Sequence, residues 1–368
     1  MDMTTPESGS AGISRRTLLR RATAGALALP AGATLLDALA GSAAAATAAS
    51  GQLLLNNYPG WIGKNELKAY AKRFPGHSVK MVTNATSSVA EVILQFKNGG
   101  YDVLLCDTTD AGQADAAGLI QKIDWSKVPN ISKVSANFRK AYPWGIPTDY
   151  GKVGIAYRPD IVGEKITSWK DVWRLAPKFS GRVVFINLER DCLGSTLKYL
   201  GYSANTSDAK QISAAKDAIV KIKPHLQAFL NTNVGQGLVN GSTAIAMDWD
   251  YDVALLKQKQ PKIEWVAPTE GMHAYLEGFS VPRSSSNLVQ AEELLNFMLD
   301  PKQYADFVNT TGTAYTLPAA THFVKKTISA SPILKPSAAV LKRVEFDHYL
   351  GAKGTQLFAQ AWQEVKAS

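Results

Sequence analysis

The hydrophobic pattern after residue 50 alternates between short apolar runs and longer amphipathic stripes. Leu53, Leu54 and Leu55 form a run too short for a helix and suited to a buried strand. Leu67, Tyr70, Ala71 and Phe74 then repeat at i, i+3, i+4, i+7, which predicts a helix stopped by Pro75 and Gly76. Val79, Met81 and Val82 predict a second strand. Val89, Val92, Ile93 and Phe96 predict a second helix ending at Gly99 and Gly100, and Val103, Leu104 and Leu105 a third strand. Strand, helix, strand, helix, strand implies a parallel sheet with crossover helices. The pattern restarts with a strand over 183–186 and a helix from about 191 to 200. Another helix carries Ile212, Ala215, Ile219 and Ile222, entered through Thr206 and Ser207 as cap. A strand over 243–247, a helix over about 250–258, strands over 263–266 and 279–281, and a helix striped by Ala291, Leu294, Leu295 and Met298 complete the series. Pro and Gly clusters at 142–147 and 277–278 suit a hinge or crossover between two α/β units.

The first fifty residues are of another kind. Ser14, Arg15, Arg16, Thr17, Leu18 and Leu19 precede a stretch of Ala, Gly, Leu, Thr and Ser that closes on Ala46, Thr47 and Ala48. A basic start, a mild apolar middle and a small-residue exit read as an export signal, and the paired arginines resemble a twin-arginine signal. Asp37 and Pro30 make the segment a poor membrane span, and no later run reaches eighteen apolar residues. The expectation is a signal over residues 1–48, the twin-arginine export machinery as a partner, and a mature chain that is periplasmic or secreted, without a stable membrane anchor and monomeric.

Composition narrows the classes. The 368 residues are 46% hydrophobic, 9% aromatic and 19% charged, a globular mixture that excludes a disordered or collagen-like chain. Two cysteines exclude a disulfide-dense scaffold and form no CxxC pair. Net charge is +9, but the basic residues are spread over every helix, so no nucleic-acid partner is expected. No HExxH, GxSxG or Walker A pattern occurs, the five histidines are scattered, and no adjacent tyrosine pair suggests iron. No catalytic residue, cofactor or metal is therefore expected. A cofactor-containing secreted enzyme remains the alternative of a different class, since folded-state export suits one.

Ligands of α/β proteins bind beyond the carboxyl ends of strands. Those positions hold Tyr58 and Trp61; Asp107, Thr109 and Asp110; Glu189, Arg190 and Asp191; Asp248, Trp249, Asp250, Tyr251 and Asp252; with Tyr275 and Glu277 before the strand at 279. Carboxylates and large aromatics recur in every group, which is what an organic cation needs. Carboxylates give charge-assisted hydrogen bonds to ammonium groups, and aromatic faces give cation–π attraction.

The chain resembles the periplasmic polyamine-binding proteins (spermidine/putrescine type) of ABC importers from about residue 53 to its end. The likeness is carried by Gly99-Gly100-Tyr101-Asp102-Val103, Gly118-Leu119-Ile120-Gln121-Lys122-Ile123-Asp124, Ile166-Thr167-Ser168-Trp169-Lys170-Asp171-Val172-Trp173, Leu200-Gly201-Tyr202-Ser203, Met247-Asp248-Trp249 and Pro268-Thr269-Glu270-Gly271. It implies a two-lobed α/β fold of the type II periplasmic-binding-protein kind, each lobe a mixed sheet flanked by helices, with the ligand in the cleft between. The expected division is 49–147, with 279–318 returning, for the first lobe, and 148–278, with 319–368 returning, for the second. The resemblance further implies a polyamine ligand, or another small solute such as a different amine or an amino acid derivative, and an ABC permease as partner. Carried over residue by residue, ligand positions fall on Tyr58, Trp61, Asp107, Asp191, Trp249, Tyr275, Glu277, Tyr315 and Asp347. Departures are Asp107 and Thr109 where the family has Ser and Tyr, and Leu188 where it has an acid. His273 and His348 could border the cleft, and Cys106 and Cys192 could face it from opposite sides.

Overall fold

A computed structural model describes residues 51–83 and 89–368. The export signal expected over 1–48 lies outside the described residues. Eleven strands form one continuous mixed sheet: β1 (Gln52–Asn56), β2 (Ser78–Val82), β3 (Val103–Asp107), β4 (Gly145–Tyr157), β5 (Val183–Ile186), β6 (Leu226–Leu230), β7 (Ile245–Trp249), β8 (Glu264–Val266), β9 (Met272–Ser280), β10 (Ala314–Tyr315) and β11 (Val344–Phe346). Helices of seven residues or more are α1 (Glu66–Arg73), α2 (Val89–Asn98), α3 (Thr108–Ala116), α4 (Trp169–Leu175), α5 (Glu189–Tyr199), α6 (Ala209–Ile222), α7 (Asp250–Lys259), α8 (Leu288–Met298), α9 (Pro301–Thr311) and α10 (Gly351–Ala367).

The order β2-β1-β3-β9-β4-β7-β5-β6 divides at β4. Strands β2, β1 and β3 are parallel, as the sequence pattern predicts, and β9 and β4 join them antiparallel. Strand β4 pairs with β9 from Gly145 to Lys152, then with β7 from Val153 to Tyr157. The crossing between halves therefore falls at residues 152–153, inside one strand. Of the Pro and Gly clusters expected to be breaks, residues 145–147 open β4 and residues 277–278 lie within β9, where Pro147 pairs with Gly278. Two packed cores cover the faces of the first half, around Leu53, Leu105 and Phe279 and around Leu104, Phe96 and Leu276. A third, around Trp169, Phe185, Met247 and Phe358, fills the second half. The segment expected to return to the second lobe at 319 stays longer with the first. Ala320, Val324, Ile328 and Leu334 join its core, whereas Glu345 pairs with Lys198 and Leu350 and α10, the latter through Phe358, Ala361 and Val365, pack on the second.

Local chemistry accounts for the helix starts. Ser168 and Asp171 form a capping box for α4. Asp208, not Thr206 or Ser207, caps α6: its carboxylate accepts the N–H groups of Lys210 and Gln211. Asp300 caps α9 with Pro301 in the first turn. Asp107 ends β3 and caps α3 by accepting the N–H of Asp110 at 2.8 Å. No helix among the described residues is long and apolar enough to cross a membrane.

Candidate functional site

Three adjacent strands bring three carboxylates together. Asp107 on β3 lies opposite Glu277 on β9, and Glu277 lies opposite Asp149 on β4. Residues directly opposite in antiparallel pairs project to the same face. A bulge between Pro147 and Asp149 makes this possible: one extra residue, Thr148, brings Asp149 opposite Glu277. Tyr315 on β10 is registered opposite Asp149, with its hydroxyl 3.0 Å from that of Thr321.

Among the described residues none of these acids is in an ion pair, although the nearby Arg190 charge lowers Asp107 somewhat. Among the described residues, the ion pairs nearby run elsewhere, from Lys152 to Asp250 and from Arg190 and His273 to Asp347. Burial pushes the Asp107 carboxyl up to about 6 and that of Asp149 up to about 7. Burial raises Glu277 well above the usual carboxylate range, and the charges of Asp149 and Asp107 raise it further. Asp110, also raised by burial, adds the repulsion of Asp107 and Glu189. Glu189, at the head of α5, is pushed up to about 7 by burial. A set of carboxylates that raise one another's pKa is a site poised for a positive charge.

Aromatic rings enclose the acids from both halves. The indole N–H of Trp61 lies beside Asp149 and Glu277 and holds both carboxyls down somewhat, without closing a hydrogen bond to either. Trp61 meets Tyr251 edge-on, with centroids 5.3 Å apart, and Tyr251 stacks on Trp249 at 6.0 Å. Tyr275 lies across β4 because its partner there is glycine: a Cβ on Gly151 would fall 2.2 Å from the Tyr275 hydroxyl.

Asp191 and Asp347 both have protein partners. Asp191 accepts the Trp249 indole N–H at 3.0 Å and faces His273 Nε2 at 2.5 Å. Asp347 faces His273 Nδ1 at 3.1 Å and accepts from Arg190 Nη2 at 2.6 Å. Both acids are held by protein cations, so neither is an open acidic group. Tyr58 packs against the first core beside Trp61. Cys106 and Cys192 are both buried and unpaired, and the Cys106 Sγ lies 3.1 Å from the Tyr142 hydroxyl. His273 is fully buried, while His348 lies beside Asp347 with its backbone N–H donating to Asn205 at 3.4 Å.

Of the expected positions, Trp61, Asp107, Glu277, Tyr275, Tyr315 and Trp249 thus fall on or beside the acidic group. Four more belong with them: Asp149, Asp110, Glu189 and Tyr251. The last three stood in the strand-end clusters. Asp149 carried no such signal, because it lies inside a strand.

A mixed sheet that passes from one half to the other along one long strand, with acids and aromatic rings from both halves around the passage, fits the class of two-lobed solute-binding proteins. The chain matches the family model for bacterial extracellular solute-binding proteins over residues 67–336, and it belongs to that family. It is 28% identical over 278 residues to the spermidine/putrescine-binding periplasmic protein of Escherichia coli (strain K12), covering 74% of this chain and 79% of that relative. It is 26% identical over 361 residues to a putrescine-binding periplasmic protein of Pseudomonas aeruginosa (strain UCBPP-PA14), covering 91% and 98%. Among solved structures, a Listeria monocytogenes protein described as a spermidine/putrescine ABC transporter superposes with a TM-score of 0.79 at 21% identity, over 86% of this chain and 99% of that one.

Proposed function

We propose that this protein is the exported solute-binding component of an ABC importer, and that it captures an amine of the putrescine/spermidine class between its lobes and delivers it to a membrane permease. The observation that carries this reading is the trio Asp107, Asp149 and Glu277, opposite one another on adjacent strands, flanked by aromatic rings and, among the described residues, in no ion pair. The relatives named for putrescine and spermidine support it. The same trio would repel an anionic solute. The paired Arg15 and Arg16 before Thr17, Leu18 and Leu19 support export of the folded chain.

A thermal-shift panel of putrescine, spermidine, amino acids and sulfate tests the reading directly. Amines should raise the melting temperature and sulfate should not, since a ligand stabilises by binding only the folded state. No shift with any amine would overturn it. Trp249→Ala should weaken amine binding by roughly 0.5–2 kcal/mol, the worth of a cation–π contact, and reduce the ligand-induced change in tryptophan fluorescence. Calorimetry and emission spectra check both.

The pH dependence has a definite sign. Folded Asp107 and Asp149 titrate near 6 and 7, above the unfolded value of about 4. Their protonation therefore stabilises the ligand-free protein as pH falls from about 7 toward 4. An ammonium ligand needs the same groups ionised, so affinity should fall over that range. The expected result is a putrescine-induced melting shift that shrinks steadily between pH 8 and pH 5. A shift that is constant across this range would separate the trio from the ligand.

A further inference from the structure

One face of β9 carries His273, Tyr275 and Glu277 at every second residue. At about 3.4 Å per residue, the first and last are about 14 Å apart along the strand. Acids stand at both ends, but in different electrostatic states. At the Glu277 end, Asp107, Asp149 and Glu277 face one another, and among the described residues none of them is in an ion pair; the Arg190 charge reaches Asp107 alone and lowers it less than burial raises it. At the other end, the acids Asp191 and Asp347 both face the His273 ring, through its Nε2 and Nδ1 respectively. Arg190 adds a second cation on Asp347 at 2.6 Å. The remaining oxygen of Asp191 accepts the indole N–H of Trp249.

The ring bridges two carboxylates with both nitrogens. A neutral imidazole has one N–H and could donate to only one of them; an imidazolium donates to both. Burial pulls the His273 pKa down, but Asp347 and Asp191 outweigh it and hold the ring at about 10. Asp347 is correspondingly held down at about 2 by Arg190 and His273 against the effect of burial. Two cations thus match two carboxylates, in a place where the His273 side chain has no solvent exposure.

We propose that His273 is a specificity-determining residue: together with Arg190 it acts as a built-in counter-cation that closes Asp191 and Asp347 to ligand ammonium groups. The site is then acidic at one end only. It favours an amine whose positive charge is confined to that end, such as a short diamine, over a longer polyamine whose ammonium groups would reach both ends of this face of β9. A triamine laid from Glu277 along Tyr275 brings its far ammonium toward an imidazolium and a guanidinium instead of a free carboxylate. This inference rests on the amine-binding reading above.

Calorimetric titration with putrescine and with spermidine tests it. The unmodified protein should bind putrescine at least tenfold more tightly than spermidine. His273→Gln leaves two carboxylates against one guanidinium, so spermidine affinity should rise at least tenfold relative to putrescine. A merely structural histidine would lower the melting temperature and weaken both ligands alike, leaving their ratio in place. A ratio that stays within twofold in the variant overturns the proposal. So does equal or tighter spermidine binding by the unmodified protein, a result that needs no variant to fold. If the unmodified protein binds neither amine, the polyamine reading itself fails and the proposal with it. Putrescine binding with an unmoved ratio removes only the role of His273.

Discussion

Glu277→Gln is expected to weaken putrescine binding by about 2–5 kcal/mol, the range for removing one partner of a buried charge pair, while stabilising the ligand-free protein. The two effects have opposite signs for one reason. Glu277 stands between Asp107 and Asp149, directly opposite each on its own neighbouring strand. Burial and the two flanking charges make its ionisation unfavourable without a ligand. Gln keeps the shape of the side chain and removes the charge, so the repulsion disappears. The same change leaves an ammonium group short of a carboxylate beside the fully buried Asp149. Calorimetry and thermal denaturation of the same preparation measure the two sides. An unchanged dissociation constant would take Glu277 out of the site. A lowered melting temperature without ligand would mean that the carboxylate is a structural acceptor.

The contrast between Glu277 and the Asp191–Asp347 pair shows how far a strand-end rule reaches. Acids and aromatic residues after strands flag Asp107, Trp249 and Asp191 equally, because the rule sees position and residue type. It does not see partners. His273 lies 82 residues from Asp191 and 74 from Asp347, so their neutralisation is a tertiary fact. One local signal pointed to it: His273 is two residues before Tyr275 and four before Glu277, which in a strand places all three on one face. The strand expected at 279–281 was too short to use that signal, since the structure extends it back to Met272.

The middle of the sheet was the least legible part. Helices such as α6 and α8 declare themselves by apolar stripes, and β1, β3 and β5 by compact apolar runs. Strand β4 reads Gly145-Ile146-Pro147-Thr148-Asp149-Tyr150-Gly151-Lys152, which resembles a break, yet every residue but Tyr150 is buried. Its polar groups are satisfied from far away. Thr313 donates to Asp149 at 3.3 Å, and the Lys152 ammonium donates to the Leu334 carbonyl at 3.3 Å. Pro147 is tolerated beside the bulge, and Gly151 makes room for Tyr275. The features that disguise the strand are those that build the site on it.

Lys152→Met should destabilise the protein by about 3–5 kcal/mol, the cost of leaving a buried charge without its partner. Lys152 is the last β4 residue paired with β9 before the strand passes to β7, and both it and Asp250 have fully buried side chains. Its ammonium pairs with the Asp250 carboxylate and lies 4.7 Å over the Tyr150 ring. Asp250 also accepts the backbone N–H groups of Lys152 at 3.2 Å and Tyr251 at 2.9 Å. Without the lysine, the burial that already raises the Asp250 pKa acts unopposed by its largest compensating charge. The variant should therefore regain stability as pH falls, because protonating Asp250 removes the orphaned charge. Lys152→Met with Asp250→Asn should recover much of the loss at neutral pH, since Asn keeps an acceptor for the two N–H groups and carries no charge. Asp250 sits between Trp249 and Tyr251 in sequence, so the single variant should also disturb the aromatic wall and weaken amine binding, and the double variant should restore both together. Chemical denaturation of the two variants at several pH values is the measurement. A single variant as stable as the parent protein, or a double variant no better than the single, would show that the pair does not hold the crossing of β4 together.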